Sequence, residues 1–196
     1  MFSTDTRGQA HTLEAFAAAI LLVAGLTFAL QATAVTPLSA STSNQHIENQ
    51  QRAVATDLLE TSAANGDLAE AVLYWDHDNA TFASSHPEFE YYTQSGPPNA
   101  FGEILDEAFL DRQVAFNVAV RYETPNGTRA QRMVYMGSPS DNAVTATRTI
   151  PVTNGTHLTA PGSTNETVSD DTFYAPDVGS GEAYNYLEVR VVLWRM

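Results

Sequence analysis

Residues 15–30 read AFAAAILLVAGLTFAL, a run without one charged side chain, and low polarity continues from Gln31 to Val35 before Pro37 interrupts it. At about 1.5 Å per helical residue, positions 15–35 reach roughly 31 Å, close to the thickness of a bilayer core. A cleaved secretory signal is the competing reading, but the run is long for one and Glu14 stands at its front edge. The only charged residues ahead of Glu14 are Asp5 and Arg7, and the next charge after the run is Glu48. Sparse positive charge before the helix predicts a cytoplasmic N-terminus and an extracellular remainder.

Composition narrows the function classes. The chain has 196 residues, 23 acids and 9 bases, for a net charge of -14, and every base is Arg. Such a surface excludes nucleic acid as an expected partner, because phosphate binding needs a basic patch. The absence of Cys removes disulfides, thiolate metal sites and cysteine nucleophiles. An acid-rich, lysine-free chain fits a high-salt source, and a GC-rich genome accounts for the missing Lys alone. Four N-glycosylation tripeptides begin at Asn79, Asn126, Asn154 and Asn165, all after the apolar run, in agreement with an exterior location.

The junction before the apolar run reads Arg7-Gly8-Gln9-Ala10-His11-Thr12-Leu13-Glu14-Ala15-Phe16. This resembles a class III signal, the N-terminal signature of type IV pilins and pseudopilins, in the form carried by haloarchaeal pilin-like membrane proteins. The resemblance implies cleavage by a prepilin-type membrane peptidase between Gly8 and Gln9, with the helix retained. It also implies a pairing role for Glu14 with a neighbouring subunit's terminal amine. Glu14 is the sixth residue counted from Gln9, where pilins place the acid at the fifth. The runs SDNAVTATR and VVLWRM are similar to a group of haloarchaeal conserved proteins of unknown function with such anchors. On physical grounds alone Glu14 is equally an interfacial cap at the positive end of the helix dipole. Ala15, Ala18, Leu22, Gly25, Ala29 and Ala32 form a mostly small seam along one side, suited to close helix approach, although membrane helices are rich in Ala and Gly in any case.

Beyond Pro37, Ile47, Val54, Leu58 and Thr61 recur at helical spacing, which predicts an amphipathic helix from about Asn44 to Ser62, ended at Asn65-Gly66. A short helix after Asp67, a turn at Asp76-His77-Asp78-Asn79 and a helix capped by Asn99 follow. Period-two alternation then predicts strands over 114–122, 129–136 after a Pro125-Asn126-Gly127 turn, 144–152 and 184–195, the last in a central position. Residues 153–183, rich in Thr, Gly, Ser, Pro, Asn and Asp, read as a flexible surface loop. The expected organisation is a leader at 1–8, a transmembrane helix at 9–36, an amphipathic stalk at 37–62 and an extracellular domain at 63–196. Its fold class is α+β, with a four-stranded, mainly antiparallel sheet.

No phosphate loop, HExxH or GxSxG motif is present, so neither an enzyme nor a cofactor is expected. His77 between Asp76 and Asp78, with His86 nearby, and Asp170-Asp171 with Asp177 have metal-like chemistry at spacings that match no regular site, and hydrated turns explain them better. Glu88, Glu90, Glu103, Asp106 and Glu107 supply carboxylates without a catalytic pattern. Trp75, Tyr91 and Tyr92 are read as either an aromatic patch or core packing. The sequence thus predicts a pilin-like single-span surface protein partnered by the lipid bilayer and by oligomerisation through Glu14, Ala18, Gly25 and Ala29. The alternative is an anchored extracellular binding domain that does not assemble.

Overall fold

A computed structural model describes residues 6–196, with the backbone alone for residues 6–10 and 31–44. Helix α1 covers Thr6–Asn65, and the chain divides into two compact units, one ending at Ile47 and the other comprising Glu48–Met196. Helical backbone therefore passes through Pro37, where the apolar run was expected to break. An interior Pro lacks one backbone donor and usually costs a helix roughly 3 kcal/mol, so the neighbouring turns must supply the helix at this point.

In the second unit α1 is a core helix. Ala55, Leu58, Leu59 and Ser62, spaced at three and four, are buried, whereas Val54 and Thr61 are exposed. Leu58 is buried as expected, and the stripe continues through Ala55, Leu59 and Ser62 rather than through Val54 and Thr61. The stretch expected as a stalk at 37–62 belongs to the domain from Glu48 onward. Gly66, at φ 93°, supplies the left-handed residue that ends α1 and starts α2 (Asp67–Val72).

A short antiparallel ribbon follows, β1 (Trp75–Asp76) with β2 (Thr81–Phe82), then α3 (Ala100–Ala108). Asn99 caps α3 through its side-chain oxygen, which accepts the Gly102 N–H at 3.2 Å. The main sheet comprises β3 (Val114–Thr124), β4 (Gly127–Tyr135), β5 (Val144–Thr153) and β6 (Ala183–Arg195) in the order β4-β3-β6-β5, antiparallel throughout. The C-terminal strand is central, as its unbroken alternation of Leu187, Val189, Val191 and Leu193 predicts. Pro151 sits in β5, an edge strand, where a missing ladder donor is tolerated. One sheet face presents Phe116, Val118, Val120, Leu187, Val189 and Val191 to a core shared with Leu59, Leu68 and Phe101. The other face carries the cross-strand pair Arg121–Glu188, with Nη1 and Oε1 2.9 Å apart, and leaves Tyr186 and Arg190 exposed.

The loop at 153–183 is not the flexible arm its composition suggests. Leu158, Ala160, Val168, Phe173 and Ala175 are buried, and Tyr174 donates its hydroxyl to Val72 O at 3.1 Å. Thr159 donates its N–H to Leu73 O at 2.9 Å and its hydroxyl to Glu70 O at 2.7 Å. Buried Asn185 donates to Pro176 O at 2.8 Å, and Tyr184 donates to Ala175 O at 2.6 Å. The segment is a strap pinned at both ends, with isolated apolar anchors hidden among polar residues.

Packing is close where residues 96–98 cross α3. A Cβ on Gly102 would meet Pro97 O at 1.8 Å. Gly102→Ala therefore forces backbone apart, and it should lower stability by about 1–3 kcal/mol, read as a fall in the thermal midpoint of the detergent-solubilised chain. An unchanged midpoint would mean that the crossing is loose.

Candidate functional site

Two regions concentrate functional potential. The first is the apolar part of α1. Residues His11–Leu30 have a mean hydropathy of 2.2, and none of that stretch is buried within the chain. Leu22 and Phe28 leave 75% and 74% of their surface exposed. Thr27 returns its hydroxyl to Val23 O at 2.6 Å, which satisfies a polar group without any outside partner. One helix of this length and composition is able to cross a bilayer near the N-terminus.

The expected assembly residues lie on this segment. Glu14 faces His11, with Oε2 3.5 Å from Nδ1, so its carboxylate has a neighbour within its own chain. Ala18, Gly25 and Ala29 are exposed in the single chain, and a Cβ added at Gly25 would meet nothing within 4 Å. Gly8 and Gln9, the expected processing residues, fall where backbone alone is described, so their side chains lie outside the described residues.

The second region surrounds the β1–β2 hairpin. A cleft of about 310 Å³ is lined by Asp76, Asn79, Ser84, Ser85, His86 and Glu90, among others. Asp76 Oδ2 accepts the Asn79 side-chain amide at 2.8 Å, and Oδ1 accepts its backbone N–H at 3.2 Å. The Asn79 side-chain bond is the chief reason the Asp76 carboxyl is held below its ordinary value. Thr81 donates to Glu90 O at 2.9 Å across the loop. His86 Nδ1 accepts the Glu88 N–H at 3.2 Å, which leaves the proton of the neutral ring on Nε2.

This loop contains three non-glycine residues with left-handed backbone: Ala80 at φ 51°, Ser84 at 61° and Glu90 at 64°. Gln113 is the only other among the described residues. Each such residue costs about 1–3 kcal/mol and persists only where its surroundings impose it. The surroundings do so here: Tyr92 donates its hydroxyl to Ala83 O, and its backbone exchanges hydrogen bonds with β4 through Met133 O and Tyr135 N, both at 2.9 Å.

The aromatic residues singled out in the sequence separate. Trp75 packs in the core against Phe82 and Tyr174, with ring centroids at 5.3 and 5.0 Å, and Tyr92 is buried. Tyr91 instead joins a surface strip, His86–Phe89–Tyr91–Tyr135, whose end is crossed by Arg132 at 5.0 Å from the Tyr135 ring. Phe89, Tyr135 and Arg132 carried no sequence signal, because loop and strand are brought together only by the β4 contact.

The remaining candidates scatter. His77 turns to Ser163 Oγ at 3.4 Å and to Asp78 at 3.3 Å, while His86 lies in the cleft with Asp76. Among the described residues no group of three or more His, Asp or Glu is placed to hold a metal. Asp170 accepts the Asp177 N–H at 2.8 Å, a loop-closing role. Asp106 accepts the Gly96 N–H at 2.9 Å, and burial, opposed by that bond, raises its carboxyl. All four candidate glycan acceptors, Asn79, Asn126, Asn154 and Asn165, are exposed. Asn154 donates its side-chain amide to Gly181 O at 3.0 Å.

A family model matches residues 7–193, from the start of α1 through the central strand. The chain belongs to DUF7288, a family of unknown function. No curated protein and no solved structure matches it. The DUF7288 match thus takes in the apolar helix, the hairpin cleft and the pinned strap as one unit of sequence.

Because the folded state holds the Asp76 carboxyl below its ordinary value, the ionised carboxylate stabilises the hairpin above the usual carboxylate range, and the contribution is lost as pH falls through the lowered value. Asp76→Ala should therefore reduce the thermal midpoint at pH 7, and the difference from the parent chain should close well below pH 4. A difference that persists at the lowest pH would assign Asp76 a role independent of its charge.

Proposed function

We propose that this DUF7288 member is a pilin-like, single-span cell-surface protein, a minor subunit or accessory of an archaeal type IV filament or secretion system. The observation that carries the reading is a helix with two characters. Its first part, His11–Leu30, offers a membrane-length apolar surface that is exposed among the described residues, and its last part is a core helix of an α+β domain. Support comes also from the Arg7-Gly8 junction with Glu14 six residues into the chain that would follow cleavage. Exposed Asn79, Asn126, Asn154 and Asn165 agree with a domain outside the cell. In this reading Gly8 and Gln9 meet a prepilin-type peptidase, Ala18, Gly25 and Ala29 meet a neighbouring helix, and the chain has no catalytic task.

A second reading, an anchored binding domain that does not assemble, is favoured by the strained and preformed cleft at the hairpin. The absence of native Cys makes the two separable. Ala18→Cys supplies a single thiol on the seam, and membranes containing the full chain should give a disulfide-linked dimer on oxidation. Adding Gly25→Leu should reduce that product roughly tenfold, since the new side chain has open space in its own chain and obstructs only another helix. Equal dimer yield with and without Gly25→Leu would refute assembly through the seam.

A further inference from the structure

We propose that the cleft beside the β1–β2 hairpin binds a neutral saccharide. Its lining mixes hydrogen-bond acceptors and donors: the carboxylates of Asp76 and Glu90, the hydroxyls of Ser84 and Ser85, the Asn79 amide and the His86 ring. No Arg lines it, so a phosphate or other anion would meet carboxylates without a counter-charge. Its two carboxylates are not joined by enough further ligands to form a cation site among the described residues. What remains is a ligand with many hydroxyl groups and no charge.

The adjoining surface fits the other property of a sugar, its apolar C–H face. His86 stacks on Phe89 at 4.6 Å and 26°, and Phe89 on Tyr91 at 5.9 Å and 22°, so a continuous aromatic strip begins at a cleft residue. Phe89 is 47% exposed, although a large aromatic side chain would normally be buried. The volume, about 310 Å³, lies at the small end of ligand sites and suits one or two sugar rings. The left-handed backbone at Ala80, Ser84 and Glu90 holds this arrangement in place before any ligand arrives, and strain concentrated at one cleft marks a site that is shaped for contact.

Two sources share this chemistry, a glycan on the chain's own Asn79, at the cleft wall, and a glycan of another envelope molecule. The test uses the full chain made in a bacterial host without N-glycosylation and held in a detergent with no sugar headgroup. Saturation-transfer NMR with the methyl glycosides of glucose, galactose, mannose and N-acetylglucosamine should show transfer onto ring C–H protons for at least one of them. Phe89→Ala should weaken that binding roughly three- to tenfold. Glu90→Gly should abolish it while leaving the thermal midpoint equal or higher, because Gly relieves the left-handed backbone at φ 64°. A purely structural loop would not give that combination. Loss of transfer in protein from a glycosylating host identifies the Asn79 glycan as occupant, and retained transfer identifies a glycan from elsewhere. No transfer from any of the four glycosides, or an affinity that Phe89→Ala leaves unchanged, overturns the proposal.

Discussion

The constraint on which this structure depends is the exposed apolar surface of α1 between Leu13 and Leu30. Nine large apolar side chains between Leu13 and Leu30 are exposed, and leaving them in water forgoes on the order of 20 kcal/mol of burial. That exceeds the net stability of an ordinary domain, about 5–15 kcal/mol. The surface must therefore be covered by lipid, by other helices or by both. The segment is helical throughout, and Thr27 closes its own hydroxyl on Val23 O, so that side chain needs no partner from lipid.

The second unit solves its packing by ordinary means, and the last turns of α1 are part of the solution. Ala55, Leu58 and Leu59 join the core formed by the sheet, α2 and α3, and Glu60 lies 3.8 Å from Arg148 of the edge strand β5. The strap at 153–183 is held by Tyr174, Tyr184 and Asn185, whose polar atoms find backbone carbonyls in the interior. The folded domain thus includes residues that composition would assign to a stalk and to a tail.

Much of this was legible in the sequence where periodicity runs long. The β6 alternation from Leu187 to Leu193 announced a central strand, Asn99 announced the cap of α3, and Gly66 the end of α1. The α+β class and the antiparallel order followed from such signals. Short or irregular elements were illegible for physical reasons. A two-residue strand such as Trp75–Asp76 shows no period, and anchors such as Leu158 and Phe173 stand singly among polar residues. In the core stripe of α1 Leu58 was legible, whereas Ala55 was not, because hydrophobicity favours Val54 over the small residue that is buried. The cleft is illegible in the sequence because Ala80 and Glu90 carry no turn signal and Ser84, a turn former, carries none for positive φ. Asp76 and His86, weighed for metal chemistry and read instead as hydrated turns, line one cleft together with Ser84 and Ser85.

The proposed function requires that the apolar part of α1 stay on the mature chain. Intact and N-terminal peptide mass spectrometry of the protein extracted from native membranes tests this directly. The account predicts a chain that begins at Gln9 and retains residues 11–30. A mature chain that begins beyond about residue 35 would contradict it, since the apolar segment would then be a discarded signal and the domain would be released.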